Sequence, residues 1–166
     1  NLQHSIELYS LTKGYSMAGW RVGFAVGNTD AVAAVTKLKS YIDYGTFQPI
    51  QIASTVALNE LDNYPLELST VYKERRELVV NQLEDLDFIV QESNATMFVW
   101  AKLPEKYDKD SLKFSLDILE KSNVAVSPGV GFGKFGEGYI RIALVENKQR
   151  IRQAMKNIRV ALWCMI

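Results

Sequence analysis

The stretch from Pro65 to Leu86 most constrains how this chain can fold. Leu68, Val71, Arg75, Leu78, Gln82 and Leu86 recur at helical spacing, and Pro65 suits the first helical turn, where its missing N–H removes no bond. A helix of this length often bridges two subdomains. It divides the chain into residues 1–64, an interdomain helix over 65–86, and residues 87–166.

The patterns on either side differ. Before the helix, Ile6 and Leu8 alternate with Glu7 and Tyr9, and Trp20, Val22, Phe24 and Val26 repeat that strand spacing up to the turn pair Gly27-Asn28. Thr29 or Asp30 is placed to cap a helix through Ala31–Ser40. Residues 44–49 read as a loop, and a second helix covers Ile50–Glu60. After the long helix the spacing predicts short strands at 88–90, 97–102, 124–127 and 139–143. It also predicts a helix from about Asp110, with Leu112, Leu116 and Leu119 on one face. Asn147 then caps a last helix whose Ile151, Met155, Ile158 and Leu162 make an apolar stripe suited to a core. The fold class is therefore α/β: the end of one α/β domain, then a small α/β sandwich.

Composition narrows the function. The chain has 166 residues, enough for a hydrophobic core, and its 19 basic and 19 acidic residues cancel. That balance points away from a nucleic-acid or membrane-surface partner, and no apolar run approaches the roughly 20 residues of a membrane span. Cys164 is the single cysteine, which excludes an internal disulfide and suits a reducing compartment. Near a helix end it is expected as a small buried hydrophobe. His4 is the single histidine, expected at the surface. One His and one Cys cannot supply the usual metal-ligand sets or a histidine triad. The chain begins NLQHSIELYS, without an initiator Met, and enters a strand almost at once, so it reads as a fragment of a longer protein.

Gly131-Phe132-Gly133-Lys134-Phe135-Gly136 spells G-x-G-x-x-G, but a dinucleotide fingerprint needs a helix after it. Strand-like Tyr139, Ile140 and Ile142 follow instead. The glycines read as a flexible turn that lets backbone come close to something.

The run Ser10-Leu11-Thr12-Lys13-Gly14 carries more chemistry. Lys13 lies between a strand end and a tight turn, near Tyr9, Tyr15 and Trp20, where partial desolvation would favour its neutral amine. A neutral amine attacks a carbonyl to form a Schiff base. Ser10, Thr12 and Arg21, with turn N–H groups, make a cradle suited to a phosphate dianion. An aldehyde-reactive lysine beside a phosphate cradle is what pyridoxal phosphate requires.

The stretch S-L-T-K-G-Y-S-M-A-G-W-R-V-G, Ser10–Gly23, resembles the pyridoxal-phosphate attachment motif of the class I/II aminotransferases of fold type I. The resemblance implies that Lys13 is the catalytic Schiff-base lysine, and that Ser10 and Arg21 hold the cofactor phosphate of pyridoxal 5'-phosphate. A second block, P-G-V-G-F-G-K-F-G-E-G-Y-I-R-I-A-L from Pro128 to Leu144, resembles the family's C-terminal signature and implies that Arg141 binds the substrate α-carboxylate. The loop at 44–49 resembles the family segment that approaches the neighbouring subunit's site.

The resemblance thus implies the C-terminal half of such an enzyme, comprising the end of the large cofactor-binding domain and the small C-terminal α/β domain. It further implies transfer of an amino group between an amino acid and a 2-oxo acid in a cytoplasmic homodimer. The ring-nitrogen aspartate, the ring-oxygen tyrosine and the glycine-bearing phosphate loop of the family fall outside the chain, so the chain alone is expected to be inactive. The rival readings are a C–S β-lyase on the same scaffold and a non-catalytic descendant of the fold.

Overall fold

Ile6–Ser10 (β1) and Gly23–Gly27 (β2) pair antiparallel, from Ile6 opposite Gly27 to Ser10 opposite Gly23. The computed structural model describes residues 2–107 and 109–165, which group into two compact units separated in sequence between Ser69 and Thr70.

In the first unit the strands are joined by a helical turn, Leu11–Gly14 (α1), and a 3₁₀ turn, Ala18–Trp20. The extended run expected from Trp20 thus begins later. Arg21 adopts a left-handed conformation (φ 52°, ψ 48°) that turns the chain before β2. Leu11 and Met17 are buried against Ala57, with Tyr15, Val22 and Ala53 packed around them. Ala57 and Ala53 lie on Gln48–Glu60 (α3), which carries Pro49 in its first turn. Thr29–Ile42 (α2) is capped by Asn28, not by Thr29 or Asp30: the Asn28 side chain accepts from Ala31 N at 2.9 Å and donates to Gln3 O at 2.7 Å. Asn28 wins because one amide can cap the helix and tie it to the segment before β1 in the same geometry.

Tyr64–Glu84 (α4) runs through the division between the units. In the second unit Ile89–Val90 (β3), Phe98–Lys102 (β4), Ser127–Pro128 (β5) and Tyr139–Ala143 (β6) form an antiparallel sheet in the order β3-β4-β6-β5. The strand expected over 124–127 is thereby reduced to a two-residue ladder at its far end. Val99, Ala101 and Ile140 turn one sheet face to the core. There they meet Val79 and Leu83 of α4, Phe114 and Ile118 of Ser111–Ser122 (α5), and Ile151, Met155, Ile158 and Leu162 of Lys148–Trp163 (α6). The apolar stripe read on the last helix is therefore core. Each such side chain contributes roughly 1.5–3 kcal/mol over leaving it exposed.

Leu112, Leu116 and Leu119 of α5 share one face, as expected, and that face is exposed; the buried face carries Ser111, Phe114, Ser115, Ile118 and Ser122. The serines satisfy their hydroxyls on the preceding turn, Ser115 Oγ to Ser111 O at 2.8 Å and Ser122 Oγ to Ile118 O at 2.6 Å. Small side chains with no orphaned hydroxyl let the helix lie close to its neighbours. Cys164 is exposed, at the C-cap of α6 beside the exposed Trp163, and not a buried hydrophobe. His4 is exposed, as expected.

Arg75, read in the sequence as part of a helical stripe, fastens the end of β6. Its Nη1 donates to Leu144 O at 2.8 Å and Val145 O at 3.3 Å. Arg76 donates to the carbonyls of Ser93, Ala95 and Thr96, holding the turn before β4.

Candidate active site

Ser10, the last residue of β1, is the N-cap of α1: its hydroxyl accepts from Thr12 N at 3.2 Å. That bond leaves the hydroxyl proton available to another acceptor. Leu11 N donates to Val22 O at 3.3 Å, closing the base of the turn, and Ser10 lies opposite Gly23. Pairing therefore draws Ser10 and Arg21 to the same end of the ribbon. A side chain at Gly23 would drive a Cβ to 2.6 Å from Tyr9 O, so the close approach requires glycine. Leu11 and Met17 anchor the turn from beneath, and Tyr64 donates to Ser16 Oγ at 3.2 Å while its ring stacks on Tyr15.

Lys13 stands on this anchored turn and is exposed. The desolvation expected from Tyr9, Tyr15 and Trp20 is thus absent among the described residues, because Tyr9 pairs with Phe24 across the ribbon and Tyr15 with Tyr64. Lys13 also has no hydrogen-bond or ion-pair partner among them. Arg21 is exposed and donates one bond, Nη1 to Ala18 O at 3.1 Å, which orients the guanidinium and leaves its other N–H groups open. The described turn thus gathers an amine, a guanidinium and two hydroxyls, with no carboxylate paired to either cation. Such a donor set fits an aldehyde-bearing phosphate ester.

Arg141, the fourth sequence candidate, belongs to the second unit and sits in the middle of β6, opposite Trp100 on one side and Ser127 on the other. Its guanidinium lies between two rings, 4.2 Å from the centroid of Phe98 and 4.2 Å from that of Phe132. Trp100 meets Phe132 edge-to-face at 5.7 Å and stacks on Tyr139 at 5.5 Å. Arg141 Nε is buried without a partner among the described residues. Phe98, Trp100 and Phe132 were not found from the sequence. The available signal was the unbroken apolar run Phe98–Ala101, which gives β4 two apolar faces and so implies a cover on each.

The glycine-rich turn brings backbone close to backbone, as expected: a Cβ at Gly129 would lie 2.0 Å from Gly136 O. It forms two 3₁₀ helices, Gly129–Phe132 and Lys134–Gly136. Val130 N donates to Ser111 Oγ at 3.1 Å, and Glu137 Oε1 accepts from Ser111 N at 2.6 Å. The fully buried Ser111 therefore holds both ends of the turn. The bonds from Ser111 lower the Glu137 pKa below the usual carboxylate value. Gly133 (φ 115°) adopts a conformation that favours glycine, and a Cβ at Gly136 would lie 2.1 Å from Gly129 O, so two of the three glycines in the fingerprint-like run have a backbone cause.

Comparison with known proteins follows the same residues. The family model described as aminotransferase class I and II matches residues 1–158. AatC of Rhizobium meliloti (strain 1021) is 51% identical over 156 residues, covering 93% of this chain and 38% of AatC. The glutamate-pyruvate aminotransferase AlaC of Escherichia coli (strain K12) is 44% identical over 156 residues, with the same coverage of 93% and 38%. An aminotransferase structure from Staphylococcus aureus superposes with a TM-score of 0.86 at 36% identity, covering 95% of this chain and 42% of that one. The chain thus spans about 38% of the length of these curated relatives, less than the half expected from the motifs.

Proposed function

Because this chain belongs to the class I and II aminotransferases, we propose that the whole protein moves an amino group between an α-amino acid and a 2-oxo acid, with pyridoxal 5'-phosphate as cofactor. The observation that carries the reading is the Ser10–Gly23 turn, where Lys13 and Arg21 stand exposed on an anchored support with no carboxylate among the described residues paired to either.

When bound, pyridoxal phosphate supplies an aldehyde and an electron-withdrawing ring that stabilises negative charge at the substrate α-carbon. Lys13 Nζ would hold the cofactor through its aldehyde and, as a free amine, would carry a proton at the substrate α-carbon. Ser10 Oγ and the open N–H groups of Arg21 hold the phosphate. Arg141 binds the α-carboxylate edge-on through its guanidinium. The remaining roughly three-fifths of the relatives' length supplies the other groups of the site. A cytoplasmic homodimer is part of the same reading, supported by the single cysteine and by the exposed Tyr44 and Phe47 in the loop before α3.

Borohydride trapping of the full-length protein with pyridoxal phosphate, followed by peptide mapping, tests this. A stoichiometric pyridoxyl tag on the Lys13 peptide, lost in Lys13→Ala together with turnover, is the expected result. Scattered substoichiometric tagging, or full turnover in Lys13→Ala, would overturn it.

A further inference from the structure

Four arginines of the second unit are half-buried, and three direct their N–H groups at acceptors. Arg75 donates to the carbonyls of Leu144 and Val145, Arg76 to those of Ser93, Ala95 and Thr96, and Arg159 to the Asp85 carboxylate at 3.3 Å. Arg141 has no acceptor among the described residues; its Nε is buried and unpartnered, as are those of Arg75 and Arg76, but it alone of the four also lacks an acceptor for its Nη groups there. What surrounds it is aromatic: the rings of Phe98 and Phe132 lie 4.2 Å away on the two contacts its guanidinium makes.

That arrangement has a directional consequence. A cation held against two rings is attracted by both quadrupoles. Rings also occupy space that an anion would otherwise approach, leaving the guanidinium N–H edge for a planar, bidentate carboxylate. The two rings are held differently. Phe98 is fixed by β4, opposite Ala143 and one step along the face from Trp100. Phe132 comes from the glycine-rich turn, which is fastened through Val130 N to Ser111 and through Gly133 N to Val130 O, while the edge-to-face contact with Trp100 sets its tilt.

We propose that Phe132 is a positioning residue for the α-carboxylate: it holds the Arg141 guanidinium against Phe98 and so sets the plane in which a carboxylate is received. The inference rests on the carboxylate role proposed above for Arg141. It deepens that role by assigning carboxylate selectivity to a residue that touches the arginine.

The test uses the full-length, cofactor-loaded protein with Phe132→Leu, Phe132→Tyr and Phe98→Leu. Pyruvate binding is read by calorimetry, KM and kcat with alanine, and the single-turnover rate with ethylamine, which lacks a carboxylate. Phe132→Leu should weaken pyruvate binding and raise the alanine KM by roughly tenfold, with a much smaller change in kcat and none in the ethylamine rate. Phe132→Tyr keeps a ring and should restore both values, and Phe98→Leu should move them in the same direction as Phe132→Leu. Unchanged pyruvate binding in Phe132→Leu, no rescue by Phe132→Tyr, or an equal loss with ethylamine would overturn the assignment. If Arg141→Ala leaves pyruvate binding unchanged, the carboxylate role itself falls, and the role of Phe132 falls with it.

Discussion

Gly129 and Gly136 approach each other so closely that a Cβ on either would lie 2.0 or 2.1 Å from the other's carbonyl oxygen. Backbone, not a flexible side chain, meets the added atom, so the turn itself must move. Gly129→Ala or Gly136→Ala should destabilise the full-length protein by about 1–3 kcal/mol, read by denaturant unfolding. Gly131→Ala should cost much less, since no atom of the described residues lies within 4 Å of a Cβ there.

Glu137 gives the same turn a pH dependence. Its folded pKa lies below the ordinary 4.5, chiefly through the Ser111 N–H bond, with further help from the Ser111 side chain. A depressed carboxylate pKa stabilises the fold fully above the unfolded value, and the contribution is lost as pH falls through the folded value. Wild type should therefore be more stable than Glu137→Gln at neutral pH, and the two unfolding curves should converge on acidification below pH 4.5.

The cap of α2 separates two neighbouring residues. Asn28→Ala removes both the bond from Ala31 N and the bond to Gln3 O, and should cost about 1–2 kcal/mol. Thr29→Ala should stay within about 0.5 kcal/mol of wild type. Thermal unfolding of the pair checks the assignment, and an equal loss in both would contradict it.

The buried face of α5 makes a comparable contrast. Ile118→Ala should cost about 2–5 kcal/mol by opening a cavity beside Met155 and Phe114, since Ile118 is 1% exposed. Leu116→Ser, on the exposed stripe, should change stability by no more than about 0.5 kcal/mol. The order of the two midpoints in denaturant decides which face is core.

These contrasts show where the sequence is informative. The stripe of α6 was legible because it encodes burial on one face at a fixed period, whereas the alternation at Ile6–Ser10 marked a strand whose five residues are all exposed. The α5 leucines share a face as their spacing implies, but that face is exposed, while the core face carries serines whose hydroxyls are satisfied locally. Lys13, Ser10 and Arg21 could be found together because they share one short segment. Phe98 and Phe132 could not be tied to Arg141, because their meeting depends on β4–β6 register and on a turn whose path is set by Ser111. The exposure of Lys13 likewise depends on Tyr9 and Tyr15 having partners elsewhere.

Strand β6 alternates Ile140, turned to the core, with Arg141, turned to the aromatic pair. A slip of one residue against β4 would exchange them, placing a guanidinium among Val99, Phe114 and Ile118 and an isoleucine between two rings. Correct assembly and the ring-flanked placement of Arg141, on which its proposed carboxylate role rests, are therefore proofread by the same hydrogen-bond ladder. A misaligned molecule would forfeit its core and that placement together, and so would be cleared as unfolded instead of persisting as a folded species with a displaced arginine.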